Sequence, residues 1–239
     1  MIEVVYLAAS GLDAYTKKQE TIAANLANTN TAGFKKYIAD FTITADEVDG
    51  IESKVVQPEV SIDFTKGDLT YSGNNLDIAI DGEGFFTIET EQGLRYTRNG
   101  QFKLSGNGEI ITSNGGKVLG QSGPLIIPKG KSSLTIDGSG KIKSDNSTIG
   151  ELLINNFKEK SSLIPIGSSL FMASPEAAQD PSNRNYTIAQ GYLEQSNVNV
   201  VTEMVEMIEN MRNYEASNYL IKNFSDTLHQ LISSQSNIV

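Results

Sequence analysis

A long amphipathic helix is the clearest element that the order of apolar and polar residues predicts. From Val198 to about Ser236 the sequence contains neither glycine nor proline, the two residues that most often interrupt helices. Apolar residues recur there at steps of three, four or seven, which is the spacing of one helix face. Asn197 or Asn199 can cap this helix at its start. The predicted apolar face comprises Val200, Met204, Met207, Met211, Tyr214, Ile221, Phe224, Leu228 and Leu231.

The N-terminal segment predicts a second amphipathic helix that can pair with the first. It ends near residues 28–33, a polar run that closes with Gly33, a typical helix C-cap residue. The C-terminal helix would reach about 60 Å, so it must lie against another long helix or against neighbouring molecules. The two helices together define a candidate assembly interface. Its residues are Val5, Ala8, Leu12, Tyr15, Ile22, Leu26, Met204, Met207, Met211, Tyr214, Ile221 and Leu228.

The middle of the chain alternates apolar and polar residues with period two, which is typical of half-buried strands. Ile78 and Ile80 alternate with aspartate and alanine, and Asn99-Gly100 predicts a two-residue hairpin turn. Further turn signals stand at residues 106–108, 114–116 and 137–140. Turns at this spacing favour antiparallel sheets arranged as a sandwich or open barrel.

These patterns divide the chain into four segments and predict an α+β fold. Residues 1–33 and 192–239 form long terminal helices that pack as a coiled-coil-like pair and serve assembly. Residues 34–70 form an extended linker, because they show neither helical nor strong strand periodicity. Residues 71–191 form a mainly antiparallel β domain.

Composition excludes several classes of function. The 239 residues include no cysteine and one histidine, His229, so neither a disulfide nor a zinc site with two histidines can form. The net charge is −10, which makes nucleic acid and anionic membrane surfaces poor partners. No stretch is long and apolar enough for a membrane span. The start Met1-Ile2-Glu3 lacks the basic residues of a secretory signal peptide, so we expect no cleaved signal.

Candidate chemistry is sparse, and each candidate has a simpler structural interpretation. Asp81 and Glu83 could be the carboxylate pair of a glycosidase or calcium ligands, but a solvated turn explains them better. Gly82-Glu83-Gly84 begins like a dinucleotide fingerprint without a surrounding βαβ unit. His229 lies on a predicted helix with no serine and aspartate partners in a triad pattern. The sequence therefore predicts no catalytic, metal-binding or cofactor-binding residue.

Five separated motifs resemble the signatures of bacterial flagellar rod and hook proteins. They occupy residues 24–35, 81–86, 96–102, 191–199 and 206–215, in that order along nearly the whole chain. Because several independent motifs occur in the family's order, the resemblance is specific.

The resemblance implies a structural axial subunit of the flagellar basal body with no enzymatic activity. In this family the terminal helices pack in an inner tube, and the β domain lies outside it. The subunit would assemble with other rod proteins and with copies of itself into the drive shaft that transmits torque. The resemblance also implies export by the flagellar type III apparatus, without a cleaved signal peptide, to the rod in the periplasmic space.

Within the family, the modest length and residues 120–130 are most similar to the proximal rod protein. The distal rod protein is the next most similar, and a hook protein would carry a larger outer insertion. From the residues alone, two other classes of function remain possible alternatives. A secreted β enzyme or glycan-binding module would carry an apolar pocket within residues 70–190, and a fibrous adhesin would bind through its outer β face.

Overall fold

The computed structural model describes residues 2–48, 51–128, 134–145, 147–180 and 185–236. Side chains are described over the same ranges except at residues 2–6, 46–48, 51–53, 228 and 231–236. The chain forms two compact units. Unit 1 comprises Met1–Ala27, Tyr37–Asp63 and Val198–Val239, and unit 2 comprises Asn28–Lys36 and Phe64–Asn197.

Unit 1 consists of two long helices and one β-hairpin. Its elements are α1 (Ile2–Ala27), β1 (Tyr37–Val48), β2 (Ile51–Ile62) and α2 (Val200–Ser236). The strands β1 and β2 pair antiparallel in unbroken register, from Tyr37 opposite Ile62 to Val48 opposite Ile51. The helix α1 contacts both strands and also α2.

The hairpin lies where the sequence analysis expected an extended linker at residues 34–70. Its strands carry the β-branched residues that favour extended structure, including Ile43, Val55, Val56 and Val60. Apolar side chains do not alternate regularly between a covered and an exposed side of this hairpin. Ile43 and Val60 are exposed, while the neighbours Val55 and Val56 are both partly covered. A hairpin covered by α1 on one side can therefore form without the period-two pattern of a core strand.

The start of α2 resolves the choice between the two predicted caps. The side-chain oxygen Oδ1 of Asn199 accepts hydrogen bonds from the N–H groups of Val201 (3.0 Å) and Thr202 (3.1 Å). Asn199 is therefore the N-cap, since it satisfies two of the amides that a helix start leaves free. Asn197 belongs instead to a polar cluster of unit 2.

Unit 2 is built from short strands. They are β3 (Leu69–Tyr71), β4 (Ile78–Gly82), β5 (Phe85–Thr90), β6 (Gly93–Thr97), β7 (Lys103–Leu104), β8 (Ile110–Ile111), β9 (Lys117–Gly120), β10 (Gly123–Pro124), β11 (Leu134–Ile136), β12 (Lys141–Ser144), β13 (Ser147–Glu151), β14 (Ile154–Asn155), β15 (Leu163–Pro165), β16 (Leu170–Ala173), β17 (Tyr186–Gln190) and β18 (Tyr192–Glu194).

The strands of unit 2 form one large sheet and three smaller ones. The large sheet has the order β15-β16-β6-β5-β9-β8-β7, with β10 added to β9 and β14 added to β5. The smaller sheets are β11-β12-β13, β17-β4 and β18-β3. The pairs are antiparallel. This architecture confirms the predicted α+β class with two terminal helices and a mainly antiparallel sheet domain.

Part of the core of unit 2 comes from the strands that the period-two pattern marked, and the rest comes from strands further along the chain. Ile78, Ile80, Phe86 and Ile88 are fully buried, and the rings of Phe86 and Phe102 meet edge to face at 5.1 Å. The same core includes Ile110, Val118, Leu125, Ile127, Ile136, Ile142, Leu152 and Ile188.

One predicted turn is wrong. Asn99-Gly100 does not join two paired strands, because β6 pairs with β5 and β16, whereas β7 pairs with β8. The carbonyl of Gly100 instead accepts a hydrogen bond from the N–H of Ile78 (3.0 Å). A Cβ at Gly100 would overlap the carbonyl oxygen of Ile78. The glycine therefore serves close approach to a neighbouring strand rather than a hairpin turn.

Candidate functional site

The two helices of unit 1 run in opposite directions and share polar contacts in their interface. Near the end of α1, Asn25 Nδ2 donates to Glu203 Oε2 at 2.9 Å. Two turns further along α2, Asn210 Nδ2 donates to the carbonyl of Tyr15 (2.9 Å) and to Gln19 Oε1 (2.8 Å). Asn25, Glu203 and Asn210 are all buried. Buried polar groups joined in this way stabilise one register of a helix pair.

Asn25 also connects α1 to the hairpin. Its Oδ1 accepts a hydrogen bond from the N–H of Tyr37, and its Nδ2 donates to the carbonyl of Tyr37, both at 2.8 Å. The first residue of β1 is thereby held by both its backbone groups. One amide side chain of α1 thus contacts both β1 and α2 within unit 1.

The hairpin packs on α1 through a ring contact and a hydroxyl contact. The rings of Tyr15 and Phe41 meet edge to face at 5.8 Å. Lys18 Nζ lies 5.8 Å from the centre of the Phe41 ring, a cation–π distance. The hydroxyl of Ser10 accepts a hydrogen bond from the N–H of Val56 at 3.0 Å.

The candidate interface residues predicted from the sequence differ in exposure where the structure describes their side chains. On α1, Ile22 is buried, and Ala8, Leu12, Tyr15 and Leu26 are half-buried. On α2, Met207, Tyr214 and Ile221 are half-buried, whereas Met204 and Met211 are exposed. The remaining two, Val5 and Leu228, lie outside the described side chains.

A second apolar face of α2 points to solvent, and the sequence analysis missed most of it. Because α2 is helical, positions 201, 204, 205, 208 and 211 lie on one side, and their exposed fractions run from 50% to 71%. Val201, Val205 and Ile208 follow the same three- and four-residue spacing as the predicted stripe. That spacing could have identified them, but it cannot tell which of two adjacent apolar stripes faces a partner. We call Val201, Met204, Val205, Ile208 and Met211 the outward face.

In unit 2, the buried carboxylate of Glu194 brings together segments that are far apart in the sequence. Glu194 Oε1 accepts from Lys35 Nζ at 2.6 Å, and Oε2 accepts from Arg98 at 3.3 Å. The N–H of Gly67 also donates to Oε1 at 3.2 Å. The side chains of all three charged residues are at most 5% exposed. We call Glu194, Lys35 and Arg98 the Glu194 cluster.

Backbone and side-chain contacts complete the surroundings of this cluster. Lys35 Nζ donates to the carbonyl of Thr65 at 2.6 Å, and Asn197 Nδ2 donates to Thr65 Oγ1 at 3.1 Å. Asn197 Oδ1 accepts from the N–H of Lys36 at 2.7 Å. The carbonyl of Glu194 accepts from the N–H of Gly33 at 2.7 Å. Residues 33–36, 65–67 and 194–197 are therefore tied together by hydrogen bonds.

The guanidinium of Arg98 is held in place by acceptors on three sides. Besides Glu194, it donates to the carbonyls of Ile80 (3.3 Å) and Gly82 (2.8 Å), and it lies 5.3 Å from the centre of the Phe85 ring. Burial lowers the pKa of Arg98, and the charge of Glu194 opposes that shift. Arg98 depends on Glu194, because its buried charge would lose its close counter-charge without that carboxylate.

Gly33 allows the backbones at this cluster to come close together. Its φ of +66° is in the left-handed region that favours glycine. A Cβ at this position would overlap the backbone of Arg98 and Asn99. Sequence reasoning assigned Gly33 to a helix end but did not identify Lys35, Arg98 and Glu194 as a cluster. Their shared location within the recognised motifs was the available signal.

The residues considered for catalysis belong to different units: Asp81 and Glu83 lie in unit 2, and His229 lies in unit 1. Asp81 pairs with exposed Lys66, and Glu83 pairs with Lys160 at 2.9 Å. His229 on α2 is exposed. Among the described residues, no three His, Cys, Asp or Glu side chains gather in a way that could hold a metal ion. Within the same ranges, neither helix is long and apolar enough to cross a membrane.

An open cleft of about 820 Å³ lies at one end of the large sheet, between the β5–β6 turn and the β15–β16 loop. Glu89, Gln92, Arg95, Lys117 and Ser168 are among the residues that line it. Arg95 donates to the carbonyls of Leu94 and Gln92 beside it. These contacts hold the turn of its own hairpin.

Comparison with protein-family models matches three separate parts of the chain. Residues 6–35 match the family described as "Flagella basal body rod protein". Residues 79–144 match the "Flagellar hook protein FlgE/F/G D1 domain", and residues 189–234 match the "Flagellar basal body rod FlgEFG protein C-terminal".

Several curated proteins are similar to this chain over nearly its whole length. The flagellar basal-body rod protein FlgG of Agrobacterium fabrum is 32% identical, over 95% of this chain and 97% of that protein. The FlgG of Bacillus subtilis is 30% identical over 98% and 99%, respectively. The flagellar basal-body rod protein FlgF of Mesorhizobium japonicum is 30% identical over 98% of both chains.

Proposed function

Because this chain belongs to the flagellar basal-body rod protein family, we propose that the outward face of α2 is the surface through which it joins its neighbours in the rod. The chain is a structural subunit of the flagellar basal body and not an enzyme. It assembles with other rod components. As a subunit of the rod, the chain takes part in transmitting torque along the drive shaft.

The exposure of five apolar side chains along one helix face is the observation that carries this proposal. Val201, Val205 and Ile208 are each at least half exposed, and Met204 and Met211 flank them. Burying the exposed half of one such side chain stabilises a contact by roughly 1 kcal/mol. A contiguous face of this kind in a soluble protein marks an interaction surface.

The occupant that we propose is a neighbouring rod subunit, either a second copy or a relative of this chain. The contact would be heterologous, because a rod grows by adding subunits along an axis. Repeated heterologous contacts generate a helical assembly rather than a closed dimer. Arg212 and Glu215 follow Ile208 and Met211 at a step of four on the same side of α2, so the apolar face ends beside one charge of each sign, and apolar contact is the attraction that we propose.

We further propose that α1 and α2 form a coiled-coil-like pair, as the sequence pattern predicts. Support comes from Met207, Tyr214 and Ile221, which are half-buried and recur every seven residues. The contacts of Asn210 with Gln19 and of Asn25 with Glu203 lie at the same spacing of seven on α2. In this proposal, the predicted interface residues of α1 and the inward residues of α2 build the pair, and Met204 and Met211 belong to the rod contact.

The segment boundaries predicted from the sequence are part of the same proposal. Residues 1–33 and 192–239 would serve assembly, and residues 71–191 would form the β body of the subunit. Residues 34–70 would link them and add the β1–β2 hairpin to α1. The contacts of Phe41 with Tyr15 and of Val56 with Ser10 support that last assignment.

A charge placed on the outward face tests the proposal. Ile208→Asp should abolish the concentration-dependent assembly of the purified chain, measured by sedimentation and electron microscopy, because the contact would bury an unpaired carboxylate. Asn213→Asp adds the same charge at an exposed position off that face and should assemble normally. Circular dichroism should show the same helix content for both variants. Normal assembly of Ile208→Asp would overturn the proposal.

We also propose that the subunit reaches a periplasmic rod through the flagellar type III export apparatus, without a cleaved signal peptide. Membership of the rod family supports this route. Fractionation of cells that lack the export apparatus should then find the full-length chain retained in the cytoplasm. Release of a shortened chain in those cells would contradict it.

A further inference from the structure

The first three turns of α2 have an unusual distribution of polar and apolar side chains. On the side that contacts α1, the fully covered residues are Glu203 and Asn210, both polar. On the opposite side, Val201, Val205 and Ile208 are exposed. An amphipathic helix normally buries its apolar side and exposes its polar one. Apart from Met207, which is half-buried on the inward side, this part of α2 reverses the arrangement.

The reversal raises the question of what prevents α2 from turning about its own axis. Rotation by half a turn would place Val201, Val205 and Ile208 against α1 and return Glu203 and Asn210 to water. Apolar burial alone would favour that rotated arrangement. The outward face would then be covered within the subunit, and no surface would remain for a neighbour.

The buried polar contacts oppose this rotation. Asn25 contacts Glu203 Oε2 and both backbone groups of Tyr37, and Asn210 contacts Gln19 and the carbonyl of Tyr15. Turning α2 would take Glu203 away from Asn25 and Asn210 away from Gln19, and it would place apolar side chains against these two residues of α1. Asn25 would keep only its contacts with Tyr37. A buried polar group that loses its partner costs the full desolvation of that group. Buried polar contacts of this type specify register in paired helices.

We infer that Asn25, Glu203 and Asn210 are positioning residues that set the rotation of α2 and so keep its apolar face turned outward. The inference rests on the proposed function, in which that face receives the next subunit. It assigns a different task to each side of the helix. The polar side determines orientation, and the apolar side supplies the binding energy.

Cysteine labelling can measure the rotation directly, because the chain contains no native cysteine. A single cysteine is introduced at Val205 on the outward face or at Met207 on the inward side, and each protein is treated with a maleimide. The reaction is followed in dilute, unassembled protein. With the native polar residues in place, the cysteine at 205 should react several-fold faster than that at 207, because position 205 is exposed and position 207 is partly covered.

The test variant replaces the polar contacts on α2 with apolar ones. In the Glu203→Leu/Asn210→Leu background, the two cysteines should react at similar rates, and assembly of the corresponding cysteine-free variant should be lost. Helix content by circular dichroism should be retained. A labelling ratio that stays at the native value in this background would overturn the inference. If the double variant unfolds, Asn210→Leu alone is the second variant, and its ratio should fall part of the way.

Two controls separate positioning from a general effect of added leucines or lost charge. Glu209→Leu/Asn213→Leu adds the same apolar groups at exposed positions off both faces and should keep the native ratio. Glu203→Gln keeps an oxygen acceptor for Asn25, so this variant should retain both the native labelling ratio and normal assembly. Failure of Glu203→Gln to keep the ratio would count against a hydrogen-bonding role.

The outcome is distinguishable from failure of the proposed function. Labelling is measured in unassembled protein and reports only the orientation of α2. If Ile208→Asp assembles normally while the labelling ratios behave as expected, the rod contact is elsewhere but the polar residues still set the rotation. If the ratios do not change, the positioning role is refuted even where the outward face is the contact.

Discussion

At the scale of single residues, Glu194 shows how a charge can be carried in the interior of unit 2. Its carboxylate faces Lys35 at 2.6 Å and Arg98 at 3.3 Å, and the N–H of Gly67 supplies a third donor. Removing such groups from water is costly, and only close pairing compensates for the loss. The cluster is therefore better understood as a constraint on which segments meet than as a large net source of stability.

Glu194→Ala should strongly destabilise unit 2. The substitution leaves Lys35 and Arg98 buried without a counter-charge, and we expect a loss of about 3–5 kcal/mol in the free energy of unfolding. Urea denaturation followed by circular dichroism measures it. Asp81→Ala is the matched control, since it also removes a carboxylate paired with a lysine, but at the surface. That control should cost at most about 1 kcal/mol, and equal losses in the two variants would contradict the assignment.

At the scale of elements, the hairpin β11–β12 owes its turn to one aspartate. Asp137 Oδ1 accepts hydrogen bonds from the hydroxyl of Ser139 (2.6 Å) and from the N–H groups of Ser139 (3.0 Å) and Lys141 (3.1 Å). The hydroxyl of Ser139, aided by these amides, holds the pKa of Asp137 below its ordinary value. This is the local side-chain capping that makes aspartate favourable in turns.

The turn should weaken in acid because its carboxylate is needed in the charged form. A lowered pKa contributes stability above the ordinary pKa of aspartate and loses it as the pH falls through the folded-state value. An NMR titration should therefore find the Asp137 pKa below that of a free aspartate. Ser139→Ala should move it back toward the ordinary value, and Ser113→Ala, in a different loop, should not. An unshifted pKa in the native protein would contradict the hydrogen-bonded turn.

The helices and the hairpin of unit 1 differ in how far sequence could predict them. Long helices leave a repeated three- and four-residue signal, and both α1 and α2 were predicted from it. The hairpin β1–β2 leaves a weaker signal in the sequence, because its covered positions are not consistently apolar. Apolar Ile43 is exposed, whereas polar Thr44 is partly covered. Its stability depends on contacts with α1, such as that of Tyr15 with Phe41. No local pattern within residues 37–62 records that contact.

At the scale of the whole molecule, the chain passes between its two units four times. The passages follow residues 27, 36, 63 and 197. Unit 2 is thus assembled from a short segment, Asn28–Lys36, and a long one, Phe64–Asn197. The short segment contributes the buried ring of Phe34, whereas the core cluster around Phe86 has its members between Ile78 and Ile188. The short segment also contributes Lys35 and Gly33 to the surroundings of Glu194.

Fragments that keep or lose the short segment should therefore differ in stability. Residues 28–197 should unfold cooperatively in urea, with a midpoint close to that of unit 2 in the full chain. Residues 64–197 keep the core cluster between Ile78 and Ile188 but lose Lys35 and the buried Phe34, so we expect them to be less stable by about 3 kcal/mol or more. Similar midpoints for the two fragments would show that the Glu194 cluster does not hold unit 2 together. Non-cooperative melting of residues 28–197 would show that unit 2 needs the helices.

The sequence by itself determined the fold class, the helices and the family. The order of apolar and polar residues identifies α1, α2 and core strands such as Ile78–Gly82, although Ile78, Ala79 and Ile80 are all buried rather than alternately buried and exposed. The turns at 106–108, 114–116 and 137–140 were predicted correctly, since their signals are local. The motifs identified the flagellar rod family, which the comparisons confirm.

Only the tertiary structure decided which side of α2 faces α1 and which residues of the separate motifs contact one another. Two apolar stripes lie on α2, and spacing alone cannot choose between them, because the choice depends on Asn25 and Gln19 on another helix. Lys35, Arg98 and Glu194 likewise carry no mutual signal in the sequence, since their attraction exists only once the chain brings them within reach. Contacts between distant residues depend on the path of the whole backbone, and local patterns do not encode that path.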